Sequence, residues 1–164
     1  MNNKYRSHKC NEINVADVDK IVKLSGWVHR KRDHGNLLFI DLRDHYGITQ
    51  LVFSSDNPLL EQASHIKNES VITIEGSVVK RTEETVNHTL PTGSVEVKVS
   101  SLIIESESEY LPLQVNSDED CAEDMRLKYR YLDLRRERVH NNIILRSRVI
   151  NMMRSEMVAQ DFVD

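Results

Sequence analysis

At 164 residues the chain holds one ordinary domain plus an appendage, or two small domains. Its 39% hydrophobic content supplies a core, no apolar run approaches the ~20 residues that span a bilayer, and no apolar stretch of a signal peptide follows Met1-Asn2-Asn3-Lys4-Tyr5-Arg6. The net charge of −4 argues against an indiscriminate nucleic-acid binder, and two lone cysteines without metal-ligand spacing, Cys10 and Cys121, point to a reducing, cytoplasmic setting.

The alternating pattern of residues 21–32 predicts a first strand, with Gly26 inside it as a bulge or bend. Trp27 is read as a core residue. The strand ends in three consecutive cations, Arg30, Lys31 and Arg32, and turns through His34-Gly35-Asn36. A second strand follows over 36–44. Leu38, Ile40 and Leu42 mark one face, and Leu37, Phe39, Asp41 and Arg43 the other, which leaves Phe39 exposed. A hairpin that brings cations and an aromatic to one sheet face suits unpaired nucleic acid, because cations hold phosphates and a ring stacks a splayed base. Tyr46-Gly47 turns into a third strand over 48–53. Ser54-Ser55-Asp56-Asn57-Pro58 opens a short helix, 58–67. Residues 70–81 form a fourth strand, 82–94 a turn-rich connection, and 95–104 a fifth strand.

Three strands, a short helix and two more strands are the order of a mainly β fold, the five-stranded OB-fold Greek-key barrel with its helix between strands 3 and 4. The habitual binding face of that fold is strands 2 and 3 with the loops 1–2 and 4–5. Here those elements carry Arg30–Asn36, Phe39, Gln50 and the 82–94 loop.

Beyond residue 104 the charge separates. Residues 105–124 hold eight acids and no Lys or Arg, whereas 126–154 hold nine Arg or Lys and two acids. A helix is expected to open within 116–124 on Ser117 or Asp118. From Val139 to Ala159 apolar residues recur at helical spacing, and the chain ends at Asp164 as Phe162 and Val163 enter a new element. The expectation is the N-terminal part of a longer chain, divided as 1–110, 111–138 and 139–164.

Three stretches resemble one family. Gly26–Asp44 is similar to the first hairpin of the anticodon-binding domain of bacterial aspartyl-tRNA synthetases. Arg126–Arg136, reading RLKYRYLDLRR, resembles the hinge to the catalytic body, and Val149–Asp164 looks like the opening of class II motif 1. The resemblance implies an OB-fold anticodon domain, a helical hinge and the first helix of a truncated class II catalytic domain. It matches Phe39 to the aromatic that stacks on the central anticodon uracil and Gln50 to the strand-three amide that contacts that base or its neighbour. Arg32, Arg81 and Glu96 match residues near the anticodon loop.

His34 sits where family members that charge both the aspartate and asparagine tRNAs carry His; Glu84 departs from that relaxed pattern, where glycine is common. The other histidines are read as surface residues. The partner implied is tRNA(Asp), with tRNA(Asn) in the relaxed form. The full-length parent would be a homodimer using ATP and Mg²⁺ for aminoacylation. These residues hold no phosphate-cradling loop, nucleophile–base pair or metal cluster, so no catalytic residue and no cofactor site are assigned to them. Two alternatives stay open: the anticodon domain of an asparaginyl or lysyl enzyme, and a non-catalytic single-strand-binding OB module.

Overall fold

The computed structural model describes residues 3–117 and 119–163. The elements run β1 (Ile21–Asp33), β2 (Leu37–Arg43), β3 (Ile48–Ser54), α1 (Leu60–His65), β4 (Val71–Lys80), β5 (Val95–Ser106), α2 (Glu123–Lys128), α3 (Arg130–Asp133) and α4 (Glu137–Ala159). They form two compact units, divided between Glu109 and Tyr110.

The first unit is a closed barrel of order β1-β2-β3-β5-β4, in which only the β3–β5 pairing is parallel. This is the expected OB-fold, helix included. Alternation drives it. Val22, Leu24, Val28, Leu38, Ile40, Leu42, Leu51, Phe53, Ile72, Ile74, Val78, Val95 and Val97 all point inward and are buried. Each such side chain contributes about 1.5–3 kcal/mol of hydrophobic stabilisation. Cys10 and Ile13 from the N-terminal segment, and Ala63 and Ile66 around α1, complete the same core.

β1 is long enough to serve two neighbours. Ile21–Trp27 pairs with β4, and Trp27–Asp33 with β2. The register shifts between Val28 and Arg30, so the bulge falls at His29 and not at the glycine. Gly26 stays in register opposite Ile72. Its need is space: a Cβ there would sit 2.3 Å from the Arg43 carbonyl oxygen. Because Gly26 and Val28 face inward, Trp27 faces outward. It is half-buried, with the Arg43 guanidinium 5.7 Å from its ring centroid. That corrects the core reading of Trp27.

The turn into β2 is built as its residues suggest. Gly35 adopts φ +77°, its N–H donates to Asp33 Oδ1 at 2.7 Å, and His34 N–H donates to the Leu37 carbonyl at 2.9 Å. α1 is shorter than predicted, because Asn57 acts ahead of it: its Oδ1 accepts from Leu59 N–H at 2.9 Å, and its Nδ2 donates to the Val99 carbonyl at 2.7 Å. The far end of α1 is held by Lys31, whose Nζ donates to the Ser64 carbonyl and, at 2.8 Å, to that of Ile66. Those are orphan helix carbonyls that need a donor. Lys31 is therefore spent on structure, and only Arg30 and Arg32 of the three cations share the outward face.

The second unit has a small core of Leu113, Val115 and Leu132, with Leu111, Cys121 and Tyr129 packed against it. Asp133 is fully buried and ties three arginines. Arg126 Nε lies at 3.0 Å, Arg130 Nη1 at 2.6 Å and Arg136 Nη1 at 3.8 Å. Arg136 also donates to the Ser117 and Glu119 carbonyls. The helix expected from 116–124 starts only at Glu123, with Ala122 at its N-cap. The acids before it offer no apolar periodicity to support a turn. Ser117 Oγ instead accepts from Glu119 N–H at 3.1 Å, and Asp118 lies outside the described residues. α4 spans the expected helix and buries none of its residues.

Candidate nucleic-acid interface

The outward face of β1, β2 and β3 is ordered by register. One row runs Arg32, Phe39 and Val52; the next runs Arg30, Asp41 and Gln50. Directly opposed residues on neighbouring strands share a face, so each row is a line of neighbouring side chains. Phe39 is half-buried in this face, not fully open, and the His34 ring meets it edge-on with centroids 5.8 Å apart. Phe39 and His34 thus form an aromatic corner beside the basic turn.

The polar residues next to that corner form one continuous chain. Arg32 Nη2 donates to Asp41 Oδ1 at 2.7 Å and to Gln50 Oε1 at 3.1 Å. Gln50 Nε2 donates to Glu96 Oε2 at 2.8 Å. Glu96 Oε2 lies 3.8 Å from Arg81 Nε. The fold therefore brings Arg32, Gln50, Glu96 and Arg81 into one network although its members are spread over 64 positions of sequence, from Arg32 to Glu96. Strand β3, buried along most of its length, carries Gln50 at the centre.

Electrostatics inside the network are balanced between two guanidinium and two carboxylate groups. Burial pushes the Asp41 carboxyl above its usual range, and Arg32, Arg30 and Arg81 pull it back down. Arg81 is the exception to full satisfaction: its Nε and Nη1 are buried without a hydrogen-bond partner. Such donors are costly to leave unmet, by about 1–3 kcal/mol. An acceptor of the kind a base carbonyl or phosphate offers would relieve them.

Below this cluster lies a second one that the residue types did not reveal. Arg43 Nη1 and His29 Nδ1 are 2.8 Å apart, and Arg43 Nη2 lies 2.9 Å from the buried Glu69 carboxylate. An arginine can only donate, so Nδ1 of His29 is the acceptor and the ring is neutral. Burial, with Arg43 second, lowers its pKa to about 4. His29 is thus a half-buried structural residue, not a surface one; the bulge turns it toward Arg43.

Asp41 was also missed as a site residue. Its one sequence signal is its place in the alternating outward set between Phe39 and Arg43. Among the described residues no group of three or more His, Cys, Asp or Glu is placed to hold a metal ion, and no helix is long and apolar enough to cross a membrane.

Comparison with known proteins agrees with this geometry. Residues 22–105 match the model of the OB-fold nucleic acid binding domain, and residues 122–164 that of the class II tRNA synthetases (D, K and N). An aspartate–tRNA(Asp/Asn) ligase of Rickettsia conorii is 58% identical over 98% of this chain and 27% of its own length. The chain spans about a quarter of the length of the curated relatives it matches. The crystal structure of a putative aspartyl-tRNA synthetase from Leishmania major covers 99% of this chain and 34% of that one, at 24% identity and a TM-score of 0.85. An aspartyl-tRNA synthetase from Entamoeba histolytica covers 95% of this chain and 38% of that one, at 25% identity and a TM-score of 0.81. With a barrel of the right order, an outward face of cations, aromatic and amide, and a family model matched across all five strands, the chain belongs to the OB-fold nucleic acid binding domain family.

Proposed function

We propose that residues 1–110 read the anticodon of tRNA(Asp), and of tRNA(Asn), for an aspartate–tRNA ligase of which this chain is the N-terminal part. The observation that carries the reading is the placement of Phe39 beside the Arg32–Gln50–Glu96–Arg81 network on the habitual OB binding face. Relatives 57–58% identical to the chain are named aspartate–tRNA(Asp/Asn) ligases, which supports both the amino acid and the dual tRNA partner.

In this reading Phe39 stacks the central base and Gln50 meets its edge. Arg32, Arg81 and Glu96 surround the flanking bases, and His34 edges Phe39 at the turn, near the position that separates the two anticodons. Aspartate activation with ATP and Mg²⁺, transfer to the tRNA 3′ end, and homodimer formation in the cytoplasm belong to the full-length ligase. No step of that reaction is assigned to these residues.

Stacking contributes roughly 1–3 kcal/mol per base, so three bases supply on the order of 6 kcal/mol. That corresponds to a dissociation constant of about 10⁻⁵ to 10⁻⁴ M. The test is binding of this chain to anticodon stem-loops bearing GUC, GUU and UUU, with Phe39→Ala beside the wild type. The expected result is binding of GUC and GUU within a few-fold, with UUU and the variant both weakened roughly tenfold or more. Equal binding of all three loops, unaffected by Phe39→Ala, would reduce the site to a generic single-strand face.

A further inference from the structure

Gln50 can make four hydrogen bonds through its amide, two as donor and two as acceptor. Two are taken inside the protein, and their partners leave no choice of orientation. Arg32 is donor-only, so the amide oxygen faces it at 3.1 Å. The Glu96 carboxylate oxygen accepts, so the amide nitrogen faces it at 2.8 Å. One N–H and one oxygen lone pair remain, in a fixed order, on a residue that keeps 5% of its surface accessible.

That order has chemical meaning. At the Watson–Crick edge uracil offers an acceptor at O4 and a donor at N3. Cytosine offers the reverse, a donor at N4 and an acceptor at N3. A base held by stacking in one plane cannot translate to suit a reversed amide. An amide of locked polarity therefore separates the two pyrimidines, and a freely flipping amide does not.

The lock depends on where Arg32 is kept. Its side chain is 41% exposed and could swing to solvent. What retains it over Gln50 is Asp41, which takes its shorter bond, at 2.7 Å. Asp41 reaches Gln50 through Arg32, whose one Nη2 donates to both. We infer that Asp41 is a positioning residue: by anchoring Arg32 it fixes the hydrogen-bond polarity of Gln50, and with it the preference for uracil over cytosine at the central base. This inference rests on the anticodon reading above.

The test measures binding of wild type, Asp41→Asn and Asp41→Ala to stem-loops bearing GUC and GCC, with the melting temperature of each protein taken alongside. Wild type should prefer GUC. Asp41→Ala should lower the GUC-to-GCC ratio by roughly tenfold, the worth of one misdirected hydrogen bond, and Asp41→Asn, which keeps an acceptor of the same shape, by less. A purely structural Asp41 would weaken both loops in parallel and leave the ratio unchanged in both variants, which would overturn the inference while the anticodon reading stood. Should Asp41→Ala fail to fold, the isosteric Asp41→Asn decides alone: an unchanged ratio overturns the inference. A wild type without preference between GUC and GCC would overturn the inference together with the assignment of Gln50 to the central base.

Discussion

The barrel and the helical tail treat apolar residues in opposite ways. The barrel hides Phe53, Leu24 and Ile74 completely, whereas α4 leaves Ile143, Leu145, Val149, Met152 and Met153 between 41% and 67% exposed. The barrel is held by long-range strand pairing over a shared core. The tail is held, over residues 111–136, by a small apolar cluster and one buried carboxylate. Equal hydrophobicity in sequence thus corresponds to very unequal stabilisation, because transfer energy follows area removed from water and not residue type.

The contrast is sharpest in a pair of truncations. Phe53→Ala should destabilise the chain by about 3–5 kcal/mol, the usual range for emptying a core aromatic site. Met153→Ala on α4 should stay within roughly 0.5 kcal/mol. Urea unfolding of the two variants checks this, and similar losses would end the comparison.

A smaller effect is expected at Asp133. Asp133→Ala removes the carboxylate that ties Arg126, Arg130 and Arg136. Two of those arginines are 38% and 48% exposed and can turn to water. The loss should therefore be about 1–3 kcal/mol, below that of a sealed ion pair. Amide exchange across residues 111–136 should accelerate; unchanged protection there would show that the apolar cluster suffices.

A smaller loss than at Asp133 is expected as a pH slope in the barrel. His29 is neutral when folded, with a pKa near 4 against an ordinary 6.5. The unfolded chain therefore takes up its proton first, and stability present above pH 6.5 is lost as pH falls toward about 4. Discounted for partial exposure, the loss is about 1–2 kcal/mol. His29→Gln should flatten the difference in urea midpoint between pH 7 and pH 5, and an identical slope in wild type and variant would exclude His29 as its source.

Period-two alternation and turn chemistry made all five strands and the Gly35 turn legible, since both signals are local. Phe39 facing outward followed from the same alternation. The features that escaped are those requiring knowledge of register. Lys31 looked like one of three equivalent cations until the pleat pointed it at α1. The His29 bulge displaced the alternation by one position, which no composition signal marks. Asp41 carried no motif, and its role exists only because Arg32 and Gln50 come from strands on either side of it. The late start of α2 escaped for the opposite reason: an acidic run fits a helix start well, but nothing apolar within it sustains one.

Closure of the barrel carries a consequence for association. Every strand takes part in two pairings, but those of β1 divide its length between β4 and β2, and β3 meets β5 only at Leu51–Val97 and Val52–Lys98. Closure thus leaves short one-sided stretches and no wholly unpaired strand. A second copy that extends the sheet by backbone pairing has only those stretches to use, and an oligomer built on side chains should form without any gain in β-structure.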